Sequence, residues 1–592
     1  MRFLPVVALL SLGAFAAEPP AQPAAASTAL NQLFDDYFER SLQLNPLQAT
    51  FIGDHRYDDR LTNNISARHI AQALAVDRKF LAAALKFEHE ALSDTDRLSL
   101  EIFLSDLRTS IEGAQFPGEL VPVNQFSSLP TLMPVLGSGT SAQPFATAQD
   151  YDRFLARMRD YVVWSDQAIA NMREGMKKNV TYPRILMEKV LPQLAELIAA
   201  EPQQSLFYQP LTKFPDSVAP AERARLETAY RKAITTGINP AYQRLHDFIR
   251  DEYLKGARST VAWSALPDGQ RWYAYLVKVS TTTDLSASQI HQLGLEEVAR
   301  IRGEMEQVKA QVGFKGDLAA FFKFLQDDPR FYYGDADALV QGYRDLKKSI
   351  DARLPQLFAD FPKADYEVRP VEPFRAQSAA GAFYQPPSAD GSRPGIFYVN
   401  TFNLKAQPKF GMETLSLHEA APGHHFQVSI QQELEALPRF RRFSGGYVAY
   451  QEGWALYAES IGKELGMFTD PYQYYGRLSD EMLRAMRLVV DTALHTRGWS
   501  REQAIRYMLD NSSMAASDAE AEVERYIAIP GQALGYKIGQ IRIRELRDKA
   551  QAALGARFDV KEFHSQVLRD GALPLAVLEA KIDRWIASKR AS

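Results

Sequence analysis

No cysteine occurs anywhere in the 592 residues. That one absence removes disulfides, thiol nucleophiles and cysteine metal ligands together, so any metal site has to be built from His, Asp and Glu. A chain of this length without cross-links is held by its core alone, which size permits because larger chains bury a greater share of their surface. Charge of one sign is also lacking: 68 Lys and Arg against 72 Asp and Glu leave a net charge of −4. Nothing electrostatic therefore points to nucleic acid or to an anionic membrane surface. Long hydrophobic runs are missing from the start, where a membrane anchor would be expected. The apolar stretch after Arg2 falls well short of the roughly 20 residues a spanning helix needs. With its basic start and the small-x-small pattern Ala14-Phe15-Ala16, it reads as a signal peptide over residues 1–16. A flexible leader, EPPAQPAAAS and its flanks, is expected over 17–28. No cysteine follows the run to carry a lipid, so the expectation is an exported protein, periplasmic or secreted, with no stable membrane association after cleavage.

What is present is mostly helix. Apolar residues recur at three-to-four spacing over 29–44, 67–92, 94–114, 147–177, 220–255, 286–312 and 336–354. Helical patterns return over 447–465, 471–497, 501–510, 517–526, 532–554, 560–569 and 574–588. Ser286 and Ser93 stand where N-caps belong. The proline-rich segment 118–145 reads as a long irregular loop of the kind that wraps a cleft. One section breaks the pattern. Val368, Val371, Ala382–Tyr384 and Ile396–Val399 are short β-type runs between Pro, Gly and Asp turns, and they predict a small antiparallel sheet. Such a sheet can hold an extended peptide by backbone pairing, which places Tyr398 and Asn400 among the candidate substrate-binding residues. The predicted fold class is mainly α: one large helical unit over 29–592 enclosing a cleft, with a helical half (29–365) and a sheet-plus-catalytic half (366–592).

Of ten histidines, three fall at His418, His424 and His425, directly after which or before which stand Glu419, Pro422 and Gly423. In a regular helix, residues four apart lie one above the other, so HExxH puts two imidazoles on one zinc. Here the second histidine arrives late. A spacing of six turns the helix by about 600° and a spacing of seven separates the residues by about 10.5 Å, so a straight helix cannot bring either to His418. Pro422 breaks the helical ladder and Gly423 accepts the backbone detour, after which His424 can take the place of the second ligand. His425 is then a neighbour for substrate or oxyanion, with the opposite assignment left open. Glu452 and Glu459 are seven apart on one helix face, suited to a third ligand and to a carboxylate that orients a ligating histidine. Two histidines and a glutamate with an open position describe a catalytic zinc site. The iron oxygenase reading of the same ligand set leaves Glu419 without a task.

The blocks HEAAPGHHFQ, QEGWALYAE, RYIAIPGQALGYKIG and FHSQVLRDGALPL, in this order, resemble the bacterial family labelled domain of unknown function 885. The resemblance covers nearly all of the chain after the leader, including NPLQATFIGDHRYDD near its start. It implies a gluzincin-like metallopeptidase: one zinc ion, a largely helical fold and hydrolysis of peptide bonds. QEGWA also resembles the NEGFA block of zinc aminopeptidases, which implies Glu452 as the third ligand. In that chemistry Glu419 is the expected general base for an activated water. Tyr526 and Tyr536 are candidate oxyanion donors, and Arg525 or Lys537 candidate holders of a substrate carboxylate. Asp491 and His495, four apart on an amphipathic helix, are expected to pair and to support the site or merely the fold. The expected partner is an oligopeptide cut by a carboxypeptidase or oligopeptidase. The rival expectation is a non-catalytic exported scaffold that keeps a structural metal.

Overall fold

The computed structural model describes residues 25–372, 376, 380–387, 393–443 and 446–591. The expected signal peptide and most of the leader lie outside the described residues. The first helix begins inside the leader, at Ala25, and runs to Leu44. From there the chain is mainly helical, and the segments with sustained 3.6-residue periodicity are helices in the structure. Examples are Ala148–Lys178, Ala287–Gln311 and Pro471–Thr496. Their starts are fixed by local chemistry. Thr147 with Asp150 and Ser286 with Gln289 close reciprocal capping boxes, each satisfying two otherwise orphaned backbone donors.

Two expectations need correction. The supposed loop 118–145 contains a helix, Leu129–Gly137, with Pro130 in its first turn and a second proline inside it. Proline suits a first turn because the N–H it lacks has no intrahelical partner there. The sheet is not purely antiparallel. Its strands β1 (Tyr366–Pro370), β2 (Ala382–Gln385) and β3 (Gly395–Val399) lie in the order β1-β3-β2. β3 pairs antiparallel with β2 but parallel with β1, Tyr366 facing Gly395. The reason is burial. All five residues of β3 are buried, so the continuous apolar run GIFYV takes the centre and β1 and β2 take its two flanks.

A hydrophobic core runs as one cluster from Leu30 to Ile586. Its most extensive packing is between two pairs of helices. Pro471–Thr496 packs along Ala287–Gln311, and Val448–Ser460 packs along Leu534–Leu554. The second pair is unusually close, because Gly453 and Gly539 meet backbone to backbone. A Cβ on Gly539 would overlap the carbonyl oxygen of Ala449. Among the described residues no helix is long and apolar enough to cross a membrane.

Candidate metal centre

The first histidine lies at the end of a short helix, Met412–Glu419, and the next helix, His424–Glu433, starts with the second. Between them the backbone leaves helical geometry at Ala420 and at Gly423, and the Ala421–Pro422 peptide is cis. Gly423 lies so near the preceding helix end that a Cβ would overlap the carbonyl oxygen of His418. The turn is pinned from the helix that carries Glu452, Val448–Ser460, where Trp454 donates its indole N–H to the carbonyl of Pro422 at 2.8 Å. Trp454 is fully buried and sits two residues after Glu452, so one side chain registers the turn against that helix.

This arrangement brings His418, His424 and Glu452 together, with one donor atom from each within 4.8 Å of the others. His424 Nε2 is 3.4 Å and His418 Nε2 3.6 Å from the same oxygen of Glu452. Bonds of about 2.0–2.1 Å in a tetrahedron separate neighbouring ligand atoms by roughly 3.4 Å, so the spacing fits a single zinc-sized ion. The cluster is closed behind and open in front: the His418 side chain is 4% exposed, those of His424 and Glu452 16% and 22%.

Behind His418 stands Glu459. One of its oxygens takes the His418 Nδ1 proton at 2.7 Å and the other accepts from the Thr414 hydroxyl at 2.9 Å. That leaves the Nε2 lone pair aimed at the cluster. Burial opposes charge on His418, but the hydrogen bonds to Glu452 and Glu459 outweigh it and lift its pKa to about 10. Burial likewise opposes charge on Glu452, and the adjacent His424 and His418 more than compensate, holding its carboxyl well below the usual range. The group is thus an ion-paired set of donors in which protons occupy positions a divalent cation can take. Glu419, partly exposed at the helix end, accepts no hydrogen bond among the described residues.

Other predicted site residues are placed elsewhere or already engaged. His425 is 2% exposed and faces the sheet, with Nε2 on the Ala364 carbonyl and Nδ1 on the Tyr384 hydroxyl. Burial lowers its pKa to about 4. It is a structural neighbour and does not join the triad, because adjacent helical residues point about 100° apart. Asp491 and His495 do not bond to each other. Asp491 accepts from the Tyr273 hydroxyl and the Gly531 amide, while His495 links the Trp263 amide to the Tyr526 carbonyl. Tyr526 is wholly buried and donates its hydroxyl to Glu522. Lys537 is buried between Glu481 and Glu297, at 2.6 and 2.8 Å, so it is not available to a substrate. Tyr398 is buried, stacked on Phe383, and Asn400 holds the carbonyl of Ala376. Arg525 and Tyr536 remain partly exposed and touch, Nη2 to hydroxyl at 3.3 Å. Sequence reasoning overlooked Arg484 and Arg487, although their spacing from Asp480 puts all three on one helix face.

Residues 46–582 match the family model described as a bacterial protein of unknown function (DUF885). The chain belongs to this family. Among solved structures it is similar to a candidate lipoprotein from Colwellia psychrerythraea, at 30% identity and a TM-score of 0.87. That match covers 95% of this chain and 100% of the other. It also resembles a candidate lipoprotein of unknown function from Shewanella oneidensis, at 19% identity and a TM-score of 0.75, over 93% and 99% of the two chains. The second likeness concerns the fold alone. No curated protein matches the chain.

Proposed function

We propose that this DUF885 protein is a zinc-dependent peptidase that hydrolyses oligopeptides, with His418, His424 and Glu452 holding the ion and Glu419 acting as general base. The observation that carries the reading is the convergence of three donor atoms beside a free carboxylate. A merely structural metal has no need of an unpartnered glutamate next to its first ligand. Zinc, when bound, would polarise the scissile carbonyl and lower the pKa of a nucleophilic water. The chain's residues do the rest. Glu459 keeps His418 in the tautomer that presents Nε2, and Glu419 takes the proton from water and returns it to the leaving amine. The greater exposure of His424 and Glu452 supports substrate entry from their side. The 30%-identical relative is a candidate lipoprotein, which supports an exported or membrane-anchored location for this chain too.

The test is Glu419→Gln. Plasma emission should find one zinc per chain in both proteins, while chelator-sensitive cleavage of a quenched peptide library is lost in the variant by at least about 100-fold. Cleavage at the parental rate by the variant would remove Glu419 from the mechanism, and failure of the parent protein to take up zinc would sink the proposal.

A further inference from the structure

Beside the Glu459–His418 pair lies a cluster of guanidinium groups that the proposed chemistry has not used. Asp480, Arg484 and Arg487 occupy one face of the Pro471–Thr496 helix. Arg484 is within 3.3 Å of Asp480 and within electrostatic reach of Glu459 on one side and Tyr536 on the other. Arg487 binds Glu522 at 2.8 Å, and its guanidinium lies over the Tyr536 ring, 4.5 Å from the centroid. Arg525 shares Glu522 with it at 3.2 Å and reaches the Tyr536 hydroxyl. Tyr536 comes from the helix that meets the Glu452 helix at Gly453 and Gly539, and the helix of Arg484 packs on the helix that ends at His418 and Glu419, so the cluster lies beside the elements of the triad.

Three arginines here face Asp480 and Glu522, with Glu459 also within electrostatic reach of Arg484. Nε of Arg484 and Nε of Arg525 are both buried without an acceptor. Buried donors are nearly always paired, so two orphans in one cationic cluster leave donors that an anion could occupy. Nor is the cluster sealed: Arg484 and Arg525 keep 12% and 14% of their side chains exposed.

We propose that Arg484, Arg487 and Arg525, gathered about Tyr536, form a pocket for the free C-terminal carboxylate of the substrate. The proposal rests on the peptidase reading and sharpens it: cleavage proceeds from the C-terminal end, because a carboxylate anchored here sets the distance to the scissile bond. Arginine forks match a planar carboxylate in two-point fashion, and such a contact selects the acid over its amide.

Binding tests this without requiring turnover. Titration calorimetry on the zinc-loaded full chain carrying Glu419→Gln would compare Ala-Ala-Ala, its C-terminal amide, and the amide of Ala-Glu-Ala. The free acid should bind roughly 30-fold more tightly than its amide, and Arg525→Gln should erase most of that difference. Each ratio is taken on one protein, so a partly misfolded variant does not set the answer. Equal affinity for acid and amide, including no measurable binding of either, overturns the proposal. The glutamate-bearing amide binding as tightly as the free acid also overturns it, since the pocket would then read a side chain. Wild-type cleavage of acid and amide alike would leave the peptidase reading standing and remove this one. Preference for the acid without any hydrolysis would do the reverse.

Discussion

Glu459 reaches no substrate, yet the donor set leans on it. Its two oxygens are occupied by His418 and Thr414, and it is almost wholly buried, so the ring it holds has a single orientation. Replacing it with alanine should weaken zinc binding by about 10- to 100-fold, as loss of such supporting carboxylates does, in competition against a fluorescent chelator. Unchanged affinity would mean that packing alone fixes His418. The two histidines were legible because they lie close in sequence, and Glu452 because it shares a helix face with Glu459 seven residues on and sits in the QEGWA block. Asp491 and His495 show the limit of that argument. A spacing of four says which side chains can meet, and nothing about the Gly531 amide or the Trp263 amide that reach them from other segments.

The turn between the two histidine helices is the element on which the centre depends. Gly423 is in contact with the carbonyl of His418, so any side chain there must push the helices apart. Gly423→Ala should cost about 1–3 kcal/mol of stability in urea unfolding, a usual figure for overpacking, and should reduce zinc occupancy further than that loss explains. Parental occupancy in a folded variant would contradict the link between turn and donors. Helices were readable at this scale because periodicity is a property of the element itself. The Leu129–Gly137 helix hid behind its prolines, and strand direction was invisible because the partner of a strand is chosen by burial on both faces.

Across the molecule, several buried titratable groups make stability depend on pH. His495 is pushed down to about 3 and His564 to about 4, both by burial. A histidine kept neutral by the fold contributes stability that is present above its unfolded value near 6.5 and is lost as pH falls through its folded value. Asp491, raised by burial to about 7, works the other way: its contribution is present below the ordinary carboxylate range and is lost as pH rises through about 7. The isolating comparison is His495→Gln, which keeps an acceptor for Trp263 and a donor for Tyr526. The advantage of the parent over the variant should shrink by about 1.4 kcal/mol per pH unit as pH is lowered from roughly 6.5 toward 4. A difference independent of pH would show that His495 is not held neutral.

The helix Ala516–Ala528 presents Arg525, yet three of its last carbonyls are satisfied from far earlier in the chain. Gln125 donates to Glu524, Trp263 to Ile527 and Tyr182 to Ala528. The half that holds the candidate site is therefore braced by side chains of the half that precedes it. Trimming the protein to its histidines and glutamates would strand those carbonyls and loosen the helix that presents Arg525.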